Sequence, residues 1–117
     1  MAAPNIVNVA TITGKTAVQA VGTSATAIVT NSSGSGKVFK VNALYVANID
    51  GTAAADITVD LFRSSTAYAI ASTITVPADA SLDIISKALY LEEGDVLRCT
   101  ASAAGDLTAV CSYEEIS

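Results

Sequence analysis

The sequence predicts an all-β chain, an antiparallel β-sandwich of about eight strands that is jelly-roll-like or immunoglobulin-like. Three observations predict it. Apolar and polar residues alternate with a period of two through most segments, the pattern of a sheet with one buried face. Turn residues recur at near-regular spacing between those segments. No segment carries a sustained helical stripe; Ala is a helix former, but here it alternates with Thr, Val and Ser, which favour strands.

Taken in order, the N-terminal third reads as two or three weaker strands, over 6–12, 16–21 and 25–30. Asn31-Ser32-Ser33-Gly34-Ser35-Gly36 is polar and flanked by apolar segments, so it reads as a long hairpin loop. Segment 38–47 is apolar on both faces, which suits a central strand. Asn48, Asp50 and Gly51 supply the next turn. Asp56-Ile57-Thr58-Val59-Asp60-Leu61 alternates cleanly, with Ile57, Val59 and Leu61 on one face. After Arg63-Ser64-Ser65, an Ile- and Thr-rich strand covers 68–76, and Pro77 ends it by removing a ladder donor. Short strands follow over 82–85 and 88–91, and Glu93-Gly94-Asp95 forms a turn.

The last stretch reads as a hairpin around Ala104-Gly105-Asp106. In that register Leu97 faces Tyr113, Cys99 faces Cys111, Ala101 faces Ala109 and Ala103 faces Leu107, all on one side. Arg98, Thr100, Ser102, Thr108, Val110 and Ser112 take the other side. A one-residue slip would turn each strand's apolar set outward. Cys99 and Cys111 thus form a cross-strand thiol pair. It is either a disulfide or two small buried hydrophobes. Free thiols are favoured, because the N-terminus shows no basic segment and no apolar run of a secretory signal.

The chain of 117 residues fits one domain over 1–117, with 1–36 an N-terminal arm plus edge strands. Residues 1–9 have a polar start and a short apolar run suited to strand addition. Charged residues make up 15%, the net charge is −5, and the few lysines are scattered. There is no basic stripe for phosphates, so nucleic acid is not an expected partner. No apolar run approaches the roughly 20 residues of a membrane span, so no membrane is expected either.

Chemical equipment is sparse. The chain has no His and no Trp, so its many serines lack the usual activating base. Two cysteines without His make no metal site of the usual kind. Gly14-Lys15-Thr16 echoes the end of a phosphate loop, but Val9 stands where that loop needs its first Gly. The Lys is read as part of a strand-linking turn, and Gly34-Ser35-Gly36-Lys37 as a plain loop. Asp56 and Asp60 share a strand face but stand about 13 Å apart, too far to share an ion, and read as solvated positions. Glu92-Glu93-Gly94-Asp95 is denser, but no alternating-ligand pattern accompanies it. Asn31-Ser32-Ser33 matches a glycosylation acceptor, which has no meaning without secretion. Tyr45, Tyr68, Tyr90 and Tyr113 differ in strand parity and read mostly as core or interface packing.

The second half also carries a pattern. Lys37-Val-Phe-Lys-Val-Asn-Ala-Leu-Tyr-Val-Ala-Asn-Ile-Asp-Gly51 opens it. Ile57-Thr-Val-Asp-Leu61, Val76-Pro-Ala-Asp-Ala-Ser-Leu82 and Leu89-Tyr-Leu-Glu-Glu-Gly-Asp95 follow. Thr100-Ala-Ser-Ala-Ala-Gly-Asp-Leu107 and Ser112-Tyr-Glu-Glu115 close it. Over 37–117 this resembles small β-rich virion structural proteins of tailed bacteriophages, especially marine and cyanobacterial ones. The resemblance implies a non-catalytic virion component, a capsid decoration or a neck- or tail-associated protein, assembled in the bacterial host cytoplasm. It implies other virion proteins as partners, and with them a homo-oligomer for which a trimer is the first expectation. It transfers no cofactor and no active-site residue. The alternative is a carbohydrate-binding, host-recognition module of a tail tip or fibre. An enzyme is not expected.

Overall fold

The computed structural model describes residues 8–117. Nine strands lie among them: β1 (Ile12–Ala20), β2 (Thr26–Thr30), β3 (Val38–Asn48), β4 (Ala55–Arg63), β5 (Thr66–Val76), β6 (Ser81–Asp83), β7 (Leu89–Leu91), β8 (Val96–Ala101) and β9 (Leu107–Ile116). They form two antiparallel sheets. The first runs β1-β9-β3-β6, with β7 also on β3; the second runs β2-β8-β4-β5.

This order is that of one long hairpin rolled up. Its tip is the two-residue turn Ser64-Ser65 between β4 and β5, where Arg63 pairs with Thr66. Both serines have positive φ, 51° and 61°, the twist that a two-residue hairpin needs. Outward from the tip, β3 pairs with β6 and β7, β2 with β8, and β1 with β9. Rolling then brings β9 against β3 and β8 against β4. The result is a jelly roll rather than an immunoglobulin arrangement.

The roll corrects three expectations. β8 and β9 do not form a hairpin: β8 belongs to the second sheet and β9 to the first, so 102–106 crosses between layers. The inward set is nonetheless as expected, with Leu97, Cys99, Ala101, Leu107, Ala109 and Cys111 all buried. Alternation fixes which face a residue takes, not which strand lies beside it. Segment 31–36 likewise links β2 to β3 across the two sheets rather than closing a hairpin. Finally, β1 is one continuous strand through Gly14-Lys15, which were expected in a turn; Gly14 simply pairs with Glu114. The proposed arm over 1–9 lies largely outside the described residues.

One core fills the space between the sheets. Leu44, Ile57, Leu91, Leu97 and Leu107 are its largest fully buried side chains, each stabilising the fold by about 1.5–3 kcal/mol. Phe39 packs against Tyr113 at the core margin, ring centres 5.5 Å apart.

Candidate interaction surface

The charged side chains are mostly consumed within the fold. Asp60, expected in solvent, is only 6% exposed. It lies opposite Arg98 in the β4–β8 register, accepts from Arg98 Nε at 2.8 Å, and the guanidinium also covers the Phe62 ring at 4.1 Å. Asp56 accepts from the Thr75 hydroxyl. Glu115 bridges Lys15 at 3.0 Å and Lys37 at 3.1 Å. Burial raises the Glu115 carboxyl, and the hydrogen bonds from the two lysines overcome it and hold it below the usual range.

A denser network ties the loops at one end. Asp95, 1% exposed, takes a two-pronged pair from Arg63 and an amide hydrogen bond from Glu92. Burial pulls its carboxyl upward; those donors outweigh the burial and hold it low. Buried Asn31 donates to the Lys37 and Leu91 carbonyls and accepts from the Ser35 hydroxyl. The backbones of Asn31 and Gly94–Asp95 bond each other directly. Gly94 has φ 90°, and a Cβ there would stand 3.3 Å from Ser33 Oγ, so glycine is required. Glu93 accepts from the Gly36 amide. The acidic turn is therefore a clasp for the 31–36 loop. Among the described residues no group of three or more acidic or Cys side chains is placed to hold a metal ion.

Cys99 and Cys111 are both buried and free. Cys99 pairs across strands with Thr26 and Val59 of the second sheet, and Cys111 with Ala17 and Leu44 of the first. They face the shared core from opposite layers, so the cross-strand register is corrected to a cross-core one. Burial, with smaller contributions from Cys111 and Asp60, pushes the Cys99 thiol up to about 12. Burial pushes Cys111 up to about 11. Such thiols are poor nucleophiles at neutral pH.

The exposed large hydrophobes sit on strands, apart from Ile49 in the β3–β4 loop. On the outer face of the first sheet, Val18, Val110 and Tyr45 stand side by side in one cross-strand row. Val18 is 75% exposed, the most of any large hydrophobe among the described residues. Tyr90 lies on the same sheet opposite Lys40. On the second sheet, Tyr68, Ile70 and Ile74 of edge strand β5 are exposed. Three of the four tyrosines are thus surface residues, and only Tyr113 packs against the core. Sequence parity could not place them, because a tyrosine on a strand of unknown sheet has no assigned side.

No protein-family model matches the chain, and no curated protein matches it. Solved structures do. A subunit of the disulfide-linked pili of Bacillus endospore appendages is similar over 92% of this chain and 88% of that one, at 17% identity and a TM-score of 0.55. The nucleoplasmin-like N-terminal domain of Drosophila FKBP39 is similar over 87% and 85%, at 16% identity and a TM-score of 0.44. The first likeness is one of fold, and it spans nearly the whole sandwich.

Proposed function

We propose that the chain is a non-catalytic structural subunit of a multi-copy assembly, a virion component that works by packing against copies of itself and against other virion proteins. The observation that carries this reading is the placement of exposed large hydrophobes. Among the described residues all but Ile49 lie on strands: Ile12, Val18, Tyr45, Tyr90 and Val110 on one sheet, and Tyr68, Ile70 and Ile74 on the long edge of the other. Val18, Val110 and Tyr45 form a contiguous row, and contiguous exposed apolar surface marks protein contact sites. The acidic and basic side chains with partners serve the fold, and the buried thiols are inert.

The pilus subunit of similar fold belongs to a multi-copy assembly, which is compatible with the reading; fold alone does not carry function. That assembly is linked by disulfides. Here both cysteines lie in the core, so contacts between copies are non-covalent. The exposed tyrosines favour the carbohydrate-binding alternative less, because Tyr45 and Tyr90 stand on separate parts of a sheet face rather than together on loops. The test is the mass in solution by light scattering across a range of concentrations. A discrete oligomer, with a trimer as the first expectation, supports the assembly reading. A strict monomer that binds a glycan array would replace it with the carbohydrate module.

A further inference from the structure

Among the described residues two long strand edges have no strand partner, and they lie on opposite flanks. On one flank β1 packs over β2, and β1 pairs only with β9. On the other flank β5 pairs only with β4, and the facing edge of the first sheet is broken into the three-residue strands β6 and β7. The break leaves a cleft of about 320 Å³ between β5 and segment 84–89, lined by Ile70, Ile84, Ile85, Ala88 and Leu89 with Lys87 at its lip. β5 pairs regularly over 66–69 and then bulges. Ile70 falls between Ala69 and Ala71, the partners of the consecutive residues Asp60 and Val59, and it lines the cleft. Bulges commonly re-aim a side chain in this way.

Charge and Pro, two of the devices that block strand addition, are missing from the eleven residues of β5, whose bulges leave 66–69 as its regular edge. β1 runs nine residues against β9 without a register shift, and its one charge, Lys15, is already neutralised by Glu115 at 3.0 Å. Pairing the two edges would strand no free charge. The fit extends to side chains. Val18 projects from β1 as an exposed apolar knob, with Val110 beside it, and the β5 flank offers a largely apolar recess with room for it.

We propose that copies of this chain join head to tail, β1 of one copy adding to the free edge of β5 in the next and Val18 seating in the cleft between β5 and segment 84–89. The inference rests on the assembly reading and names its surface. The contact is heterologous, so it repeats: it closes into a ring if the rotation allows and otherwise grows as a filament. Each end of an open filament still shows one unused edge.

The test uses two variants of the full chain, Val18→Asp and Ile70→Asp, with Tyr68→Asp as a second β5 variant. Circular dichroism confirms that each folds. In sedimentation velocity the wild type is oligomeric and each variant alone is monomeric. Mixed, Val18→Asp (intact β5 flank) and Ile70→Asp (intact β1 knob) form a one-to-one dimer that grows no further. Monomeric variants that fail to form this dimer would show a like-to-like contact and overturn the proposal. Oligomers unaffected by all three substitutions would also overturn it, leaving the assembly reading intact with a different surface. A wild type that stays monomeric at every concentration would remove contact between copies and leave only binding to other virion proteins.

Discussion

The loop end around Asn31 and Asp95 and the flank formed by β5 and segment 84–89 solve opposite problems with the same short strands. At the loop end, buried polar side chains are aimed at backbone groups: Asn31 at two carbonyls, Asp95 at the Glu92 amide and the Arg63 guanidinium. Along the flank there is no such investment. β5 is uncharged and exposed, and the strand across from it is broken. Where a loop must hold one shape, the chain buries a few fully satisfied polar groups, which specify geometry. Where it offers a surface, it leaves small and apolar residues on a preformed strand. The contrast predicts that substitutions at the loop end act on folding and substitutions on the flank act on association.

The largest effect is expected at Asp95. Asp95→Asn keeps the shape but removes the charge that pairs with Arg63. Truncating one partner of a buried pair costs about 3–5 kcal/mol, and Arg63 is partly exposed, which places this change near about 3 kcal/mol. Urea unfolding should show a lower midpoint at an unchanged slope. Asn31→Ala belongs beside it, leaving the Leu91 carbonyl without its buried donor at a cost of about 1–3 kcal/mol.

The same end contributes to the acid response. The Asp95 and Glu115 carboxyls are both held low in the folded state. A group whose folded pKa is depressed stabilises the fold above its unfolded value, near pH 4, and that stability is lost as pH falls through the folded value. Unfolding midpoints should therefore drop between about pH 5 and about pH 2. In Asp95→Asn the drop should be shallower. An equal drop in the variant would show that Asp95 does not drive the acid response.

Much of this contrast was beyond the sequence, for physical reasons. Period-two alternation located the inward residues of β8 and β9 correctly because a sandwich demands it of every strand. It could not tell a hairpin from a crossover, since both put Cys99 and Cys111 on the buried side. Asp60 read as solvated because its partner, Arg98, is set by the β4–β8 register rather than by proximity in the chain. Asp95 offered only an acidic turn; the one cue to its role was a lone Arg63 at the tip of the central hairpin. The turn Ser64-Ser65 was legible as a break between strands, but not as a strained one.

That strain gives a smaller effect of opposite sign. Left-handed φ values cost an ordinary residue about 1 kcal/mol each, and Asn-Gly is the preferred pair for this turn. Ser64→Asn with Ser65→Gly should raise stability by about 1 kcal/mol, read as a higher urea midpoint. The gain checks the two-residue turn between β4 and β5.

The smallest stability effect should come from the flank itself. Tyr68 is 57% exposed and pairs across the strand with Leu61, so Tyr68→Ser removes little buried area. Surface changes of this kind stay within about 0.5 kcal/mol. A midpoint within that range, together with loss of the oligomer, would separate the two regions cleanly: one side chain dispensable to the fold and needed by the assembly. A loss of about 2 kcal/mol or more would instead make β5 part of the structural frame, and the contrast between a tied end and a free flank would fail at that strand.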